Sequence, residues 1–221
     1  MKEHPILFNA PMVRALLDGS KTQTRRIVKP QPDISPEGNI RGWWLNRPLA
    51  GLLLPKKQDI TIHSPFGQAG DQLWVREKFS GPHYQRKSAP AEWNECDPIW
   101  YWADNDPESG DWTKPKPSIH MPRWASRIQL EITDVRVELL NNISEADAIS
   151  EGILSVRTDE WERKHFTQWR ALFDAACEAG EKPPIGPSPS RAYQALWESI
   201  NGAGSWDANP WVWVIEFRRA K

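Results

Sequence analysis

Cysteine is nearly absent: the 221 residues hold two, Cys96 and Cys177, far apart in the chain. That excludes a disulfide framework and any cluster of thiolates at metal-ligand spacing. An excess of one charge is lacking too, the formal net charge being −1. The strong basic surplus of a general duplex-DNA binder is therefore missing, which leaves room only for a local basic pocket. No apolar run approaches the length of a membrane span, and the opening Met1-Lys2-Glu3-His4-Pro5 is polar. Neither a signal peptide nor a transmembrane helix is expected, and the expected setting is cytoplasmic. There is no internal repeat and no glycine-rich phosphate loop, and the five histidines are scattered, with no sign of a Ser-His-Asp triad. No cofactor and no metal are expected.

What the chain has in plenty is tryptophan, 14 residues against 3 tyrosines and 6 phenylalanines. An indole offers a wide apolar face and one N–H, which suits core packing and base stacking alike. Most of these rings are expected in the core or its shell. The length suits one well-formed core, or one domain carrying large insertions.

Local signals outline the elements. Asn9 or Ala10 opens a short helix with Pro11 in its first turn, Met12, Ala15 and Leu16 on its apolar face, and Gly19 as its stop. Residues 22–28 read as a strand whose alternation puts Thr24 and Arg26 on one face and Gln23 and Arg25 on the other. Irregular excursions cover residues 29–70 and 80–122, with a strand at residues 72–77 between them. Residues 128–139 alternate with a change of parity near Thr133-Asp134, which predicts a bulge. Ser144 caps a short helix closed by Gly152, and one amphipathic helix is predicted over residues 160–178, with His165 packing or facing solvent. Ser190 caps a further helix, and residues 210–217 form a strand apolar on both faces, hence central. This order predicts an α+β fold: a small mixed β-barrel, closed or nearly so, with peripheral helices and long insertions.

Chemistry concentrates in Gly19-Ser20-Lys21-Thr22-Gln23-Thr24-Arg25-Arg26. A lysine beside a threonine hydroxyl is a base and nucleophile pair, and the arginines suit an anionic or nucleotide-like ligand. On spacing alone the same run also reads as a solvated basic turn. If Lys21 is to serve Thr24, it must sit in the turn, where the pleat does not fix its direction. Glu151 lies in the last turn of the helix that Ser144 opens. A carboxylate at the negative end of a helix is destabilised when ionised, which suits a proton shuttle, although an exposed helix-end glutamate fits the position as well. Glu77, near Trp74 on a predicted strand, is a rival carboxylate.

These residues resemble the ASCH family, a branch of the PUA-like barrels, whose signature is Gly-x-Lys-x-x-Glu-x-Arg after a short helix. Here Thr24 occupies the glutamate position, as in the small bacterial ASCH amidohydrolases that act on N4-acetylcytidine. The helix and its glutamate in residues 143–152 and the ending Val212-Trp213-Val214-Ile215-Glu216-Phe217 are similar to those enzymes as well. The resemblance implies a single ASCH domain over residues 1–221, with insertions at about 30–65, 80–121 and 156–208 of the longer, tryptophan-rich kind often encoded by phages and prophages. It implies an amidohydrolase with Thr24 as nucleophile, Lys21 as its activator and Glu151 as general acid and base. Arg26, Trp74, Glu77 and Trp213 would hold a modified nucleoside or nucleobase. Two other readings are a non-catalytic RNA-binding module and a single-strand ribonuclease, with single-stranded RNA as the partner. The oligomeric state stays open.

Overall fold

The structure is a computed structural model and describes residues 1–47, 55–107 and 110–220. The parts of two expected insertions at 48–54 and 108–109 lie outside the described residues. The chain opens with strand β1 (Glu3–Leu7), helix α1 (Ala10–Leu17) and strand β2 (Gln23–Ile27). A short hairpin of β3 (Asp33–Ile34) and β4 (Ile40–Arg41) precedes β5 (Gln72–Arg76). A second small pair, β6 (Phe79–Ser80) and β7 (Trp100–Tyr101), leads to the long β8 (Gln129–Leu139). Then come helices α2 (Glu145–Ser150), α3 (Ile153–Val156), α4 (Asp159–His165), α5 (Thr167–Ala179) and α6 (Pro189–Asn201), and the final strand β9 (Trp211–Arg219).

Five strands form one mixed sheet in the order β1-β5-β8-β9-β2, with β1 and β5 parallel and the other pairs antiparallel. Strand β9 lies between β8 and β2, as its two apolar faces require: Val212, Trp213, Val214, Ile215 and Phe217 are all buried. The parity change in β8 is a register shift between Ile132 and Asp134.

No backbone pairing joins β1 to β2 among the described residues, so by hydrogen bonding the sheet keeps two edges. Strands spaced ~4.8 Å apart would hold those edges roughly 19 Å apart in a flat sheet, beyond the reach of one side chain. Yet Arg26 of β2 donates to the Leu7 carbonyl at the end of β1 at 2.6 Å. The sheet is therefore curled, and an arginine side chain spans the gap.

Local chemistry explains the helices that frame the site. Asn9 caps α1, its side chain accepting from Met12 N at 3.1 Å, and Met12, Val13, Ala15 and Leu16 bury its apolar face. Ser144 and Asp147 form a reciprocal capping box on α2. The predicted single helix over 160–178 is two helices, because Phe166 leaves helical geometry at φ −130° and ψ 48°. His165 stacks on Trp161 at 4.3 Å, a packing role. The cap of α6 is Ser188, whose oxygen accepts from Arg191 N; Ser190 donates instead to Glu145.

The first excursion contributes to the main core through Trp44 and Ile60, and Trp44 packs edge-on against Trp213 at 6.3 Å. The second excursion builds a satellite cluster from Phe79, Trp93, Met121 and Ala125. Both cysteines are free and exposed. Among the described residues no helix is long and apolar enough to cross a membrane.

Candidate active site

Lys21 sits outside β2, in the turn after α1. Its backbone N–H donates to the Ala15 carbonyl at 2.9 Å, the next N–H goes to Ser150 O, and Lys21 and Glu151 form an isolated antiparallel bridge. Gly152 makes this approach feasible. It adopts φ +80°, and a Cβ there would lie 2.9 Å from the Cβ atoms of both Ala15 and Lys21. The end of α2 can thus be laid directly against the lysine turn.

The Lys21 ammonium is fully enclosed and meets three acceptors: Gln23 O at 2.8 Å, Glu151 O at 2.8 Å and Glu151 Oε2 at 3.0 Å. The other carboxylate oxygen of Glu151 accepts from Arg25 Nη1 at 3.3 Å. Arg25 continues to Asp147 at 3.3 Å and Glu138 at 3.5 Å, and Arg136 links both of those carboxylates to Gln23 and Glu216. One buried carboxylate therefore serves two buried cations at the head of a chain of alternating charges. Burial lowers the Lys21 pKa from the ordinary lysine value; the Glu151 carboxylate opposes this, and Arg26 and Arg25 add to the lowering. Asp147 is held below the ordinary aspartate value: burial pulls it upward but is outweighed by hydrogen bonds from Ser144 and the charge of Arg25.

A cleft opens beside this pair. Thr24, Arg26 and Glu151 line one side, and Tyr193, Leu196 and Trp197 of α6 line the other. Its enclosed volume is about 60 Å³, within about 410 Å³ of free space counting the open mouth. Thr24 and Arg26 line the cleft, Gln23 turns toward Arg136, and Arg25 lines the cleft while reaching Glu138 and Asp147. Burial raises the Tyr193 phenol well above 10, and the nearby Glu151 charge adds to the rise. Three buried donors of cleft-lining residues, Trp197 Nε1, Arg26 Nε and Arg25 Nε, have no hydrogen-bond acceptor among the described residues. An unpaired buried donor costs about 1–3 kcal/mol, so each of these groups calls for an acceptor that the protein does not supply.

The structure thus brings Thr24, Glu151 and Arg26 to one cleft, with Lys21 enclosed behind it and bound to Glu151. It does not bring Trp74, Glu77 or Trp213 there. Trp74 lies on β5, three strands away from β2 in the sheet order, under the guanidinium of Arg76 at 5.1 Å. Glu77 is buried against Arg127 at 2.9 Å and 3.1 Å; burial pushes its carboxyl up, and Arg127 opposes. Trp213 is 2% exposed in the core. Each was expected at the ligand, and each has a packing or pairing role instead. What sequence reasoning missed is α6, which lies inside an expected insertion. Its Tyr193 and Trp197, four residues apart, were legible only as an apolar helix face. Among the described residues no group of three or more His, Cys, Asp or Glu side chains is arranged to hold a metal ion.

No family model and no curated protein sequence matches the chain. A crystal structure of an ASCH domain from Lactobacillus crispatus JV V101 is similar across 99% of this chain and 79% of that one, at 12% identity and a TM-score of 0.34. A likeness of that size assigns neither family nor activity, so the functional reading rests on the site itself.

Proposed function

We propose that this chain is an ASCH-type amidohydrolase that removes a small acyl group from the exocyclic N4 of a modified cytosine nucleoside or base. The observation that carries this reading is the buried Lys21–Glu151 pair, 3.0 Å apart, whose carboxylate residue lines the same cleft as Thr24. The enclosed part of the cleft suits an acyl amide, with the sugar left at the open mouth.

The chemistry follows from the pair. Three acceptors around Lys21 Nζ match an ammonium, while burial and the two arginines work against its charge. Transfer of the shared proton to Glu151 turns the ion pair into a neutral amine and a neutral carboxylic acid. The amine then takes the Thr24 hydroxyl proton as Oγ attacks the acyl carbonyl. The acid protonates N4 as the C–N bond breaks, leaving an acyl-threonine ester and the free cytosine amine. Water, deprotonated by the Glu151 carboxylate, hydrolyses the ester, and Lys21 returns a proton to Oγ. The acylated base offers ring O2, N3 and the acyl oxygen as acceptors for the unpaired donors of Trp197 and Arg26.

Incubation with N4-acetylcytidine followed by nucleoside mass spectrometry tests the reaction, the expected products being cytidine and acetate. Because the reactive form carries one proton shared by Lys21 and Glu151, activity falls with pH as that proton is lost to solvent. The lowered Lys21 pKa puts this falling limb of the pH–rate profile below the ordinary lysine value of 10.5. A falling limb at or above that value would remove the shared proton of the pair from the mechanism. Trp197→Phe keeps the ring and deletes the donor. The expected result is a KM raised about tenfold with kcat little changed, from the 1–3 kcal/mol attached to a lost buried hydrogen bond. An unchanged KM would mean that the indole N–H does not meet the substrate.

A further inference from the structure

A second groove, in the second excursion, is larger than the cleft and opposite in character. It encloses about 460 Å³ between His83, Arg86 and Lys87 on one segment and Trp112, Lys114 and Lys116 on another. The two walls are held together by backbone hydrogen bonds: Thr113 N to Gly81 O at 2.8 Å, His83 N to Asp111 O at 2.8 Å, and Lys116 N to Phe79 O at 2.7 Å. The two backbone segments that carry the cations are therefore fixed in relation to one another before any ligand arrives.

Neutralisation within the protein is absent where it would be expected. Among the described residues, Arg86, Lys87, Lys114 and Lys116 make no ion pair with a carboxylate, although acidic residues are plentiful in the same excursion. Three of those carboxylates are engaged elsewhere. Asp97 accepts from Tyr84 and Gln85 at 2.7 Å each, Glu92 caps the Ala89 N–H, and Asp104 is bound by Arg127. Asp111 pairs with His83 at 2.9 Å and is the one carboxylate at the groove's rim among these contacts. In a chain of net charge −1, four cations without counter-ions along one groove focus a positive potential there. Beside them Trp112 is half-buried, its ring tilted against Trp100 at a centroid distance of 5.9 Å.

We propose that this groove binds nucleotide phosphate, the cations holding the phosphate groups and the Trp112 indole taking a nucleobase. The ligand chemistry is a phosphate ester carrying a base, and it comes either from a free nucleotide or from a single-stranded oligonucleotide. The groove goes beyond the deacylation site and shares no residue with it.

The test is fluorescence anisotropy with labelled twelve-residue oligouridylate, with ADP and inorganic pyrophosphate as competitors, across a salt series. Wild-type protein is expected to bind the oligonucleotide with a clear salt dependence. The triple variant Arg86→Glu/Lys87→Glu/Lys114→Glu should bind at least about tenfold more weakly, and its salt slope should fall by about two, at ~0.7 per lost phosphate contact on a single strand. Competition by ADP but not pyrophosphate identifies the nucleotide as the unit bound; resistance to ADP identifies the polymer; both support the groove. Binding that survives the triple variant, or wild-type protein that binds none of the three probes, overturns the proposal. The triple variant should hydrolyse free N4-acetylcytidine as wild type does, which also reports an intact fold. If wild type shows no hydrolysis, circular dichroism replaces that control. The binding result then stands by itself, so the two readings fail separately.

Discussion

Replacing Thr24 with alanine should abolish release of cytidine from N4-acetylcytidine, by about 10³-fold or more, with little loss of stability. Removing a nucleophile that acts in concert with its base typically costs at least this much, because the remaining groups have nothing to activate. Thr24 is 2% exposed and its backbone is paired opposite Ile215. Its side chain faces the cleft, and among the described residues no hydrogen bond of its hydroxyl holds the fold. The methyl that alanine removes is small, so the strand is expected to survive. Thr24→Ser, which keeps the hydroxyl, should retain part of the activity. Intact-protein mass spectrometry of a rapidly quenched reaction should show the acyl adduct on wild type and none on the alanine variant. Full deacetylation by Thr24→Ala would sink the nucleophile assignment.

Glu151→Gln should lose both activity and stability. The carboxylate meets Lys21 at 3.0 Å and Arg25 at 3.3 Å, and its side chain is 2% exposed. An amide of the same shape leaves both buried cations without their shared anion. Breaking a buried pair from one side costs about 3–5 kcal/mol, since the remaining charge is desolvated and uncompensated. For a chain of this size that corresponds to a fall in Tm of roughly 10 °C. Lys21→Met by itself also breaks the pair, but the double variant Lys21→Met/Glu151→Gln removes one of the stranded cations. It should be less destabilised than the sum of the single changes while staying inactive. Thermal unfolding followed by circular dichroism reads both effects. An unchanged Tm for Glu151→Gln would mean that the ion pair does not hold the turn against α2.

The elements that frame the site were legible because their signals are local. The Asn9 cap, the capping box at Ser144, the glycine after Glu151 and the parity change in β8 each act within a few residues, and each is present in the structure. The sequence leaves the Lys21 position open between turn and strand, and the structure places it in the turn. The opposite wall of the cleft was not legible. Tyr193 and Trp197 belong to a helix some forty residues beyond Glu151, and nothing in their spacing says which surface that helix covers. The errors share this origin. Trp74, Glu77 and Trp213 sit on strands whose neighbours are set by the sheet order β1-β5-β8-β9-β2, and one Arg127 contact is enough to engage Glu77 elsewhere. The break at Phe166 likewise escaped a helical pattern that continues through it.

The sequence by itself determined where α1, α2, β2, β5, β8 and β9 form, that β9 must be interior, and that Thr24 and Arg26 follow one turn, because capping, alternation and burial of apolar faces are decided over short stretches. Only the tertiary structure decided that Glu151 would serve both Lys21 and Arg25, that α6 would close the cleft with unpaired donors on its walls, and that a curled sheet would be spanned by Arg26 rather than by backbone pairing. Those outcomes depend on which surfaces far apart in the chain are buried together, and burial is what turns a basic turn into a lysine with a lowered pKa.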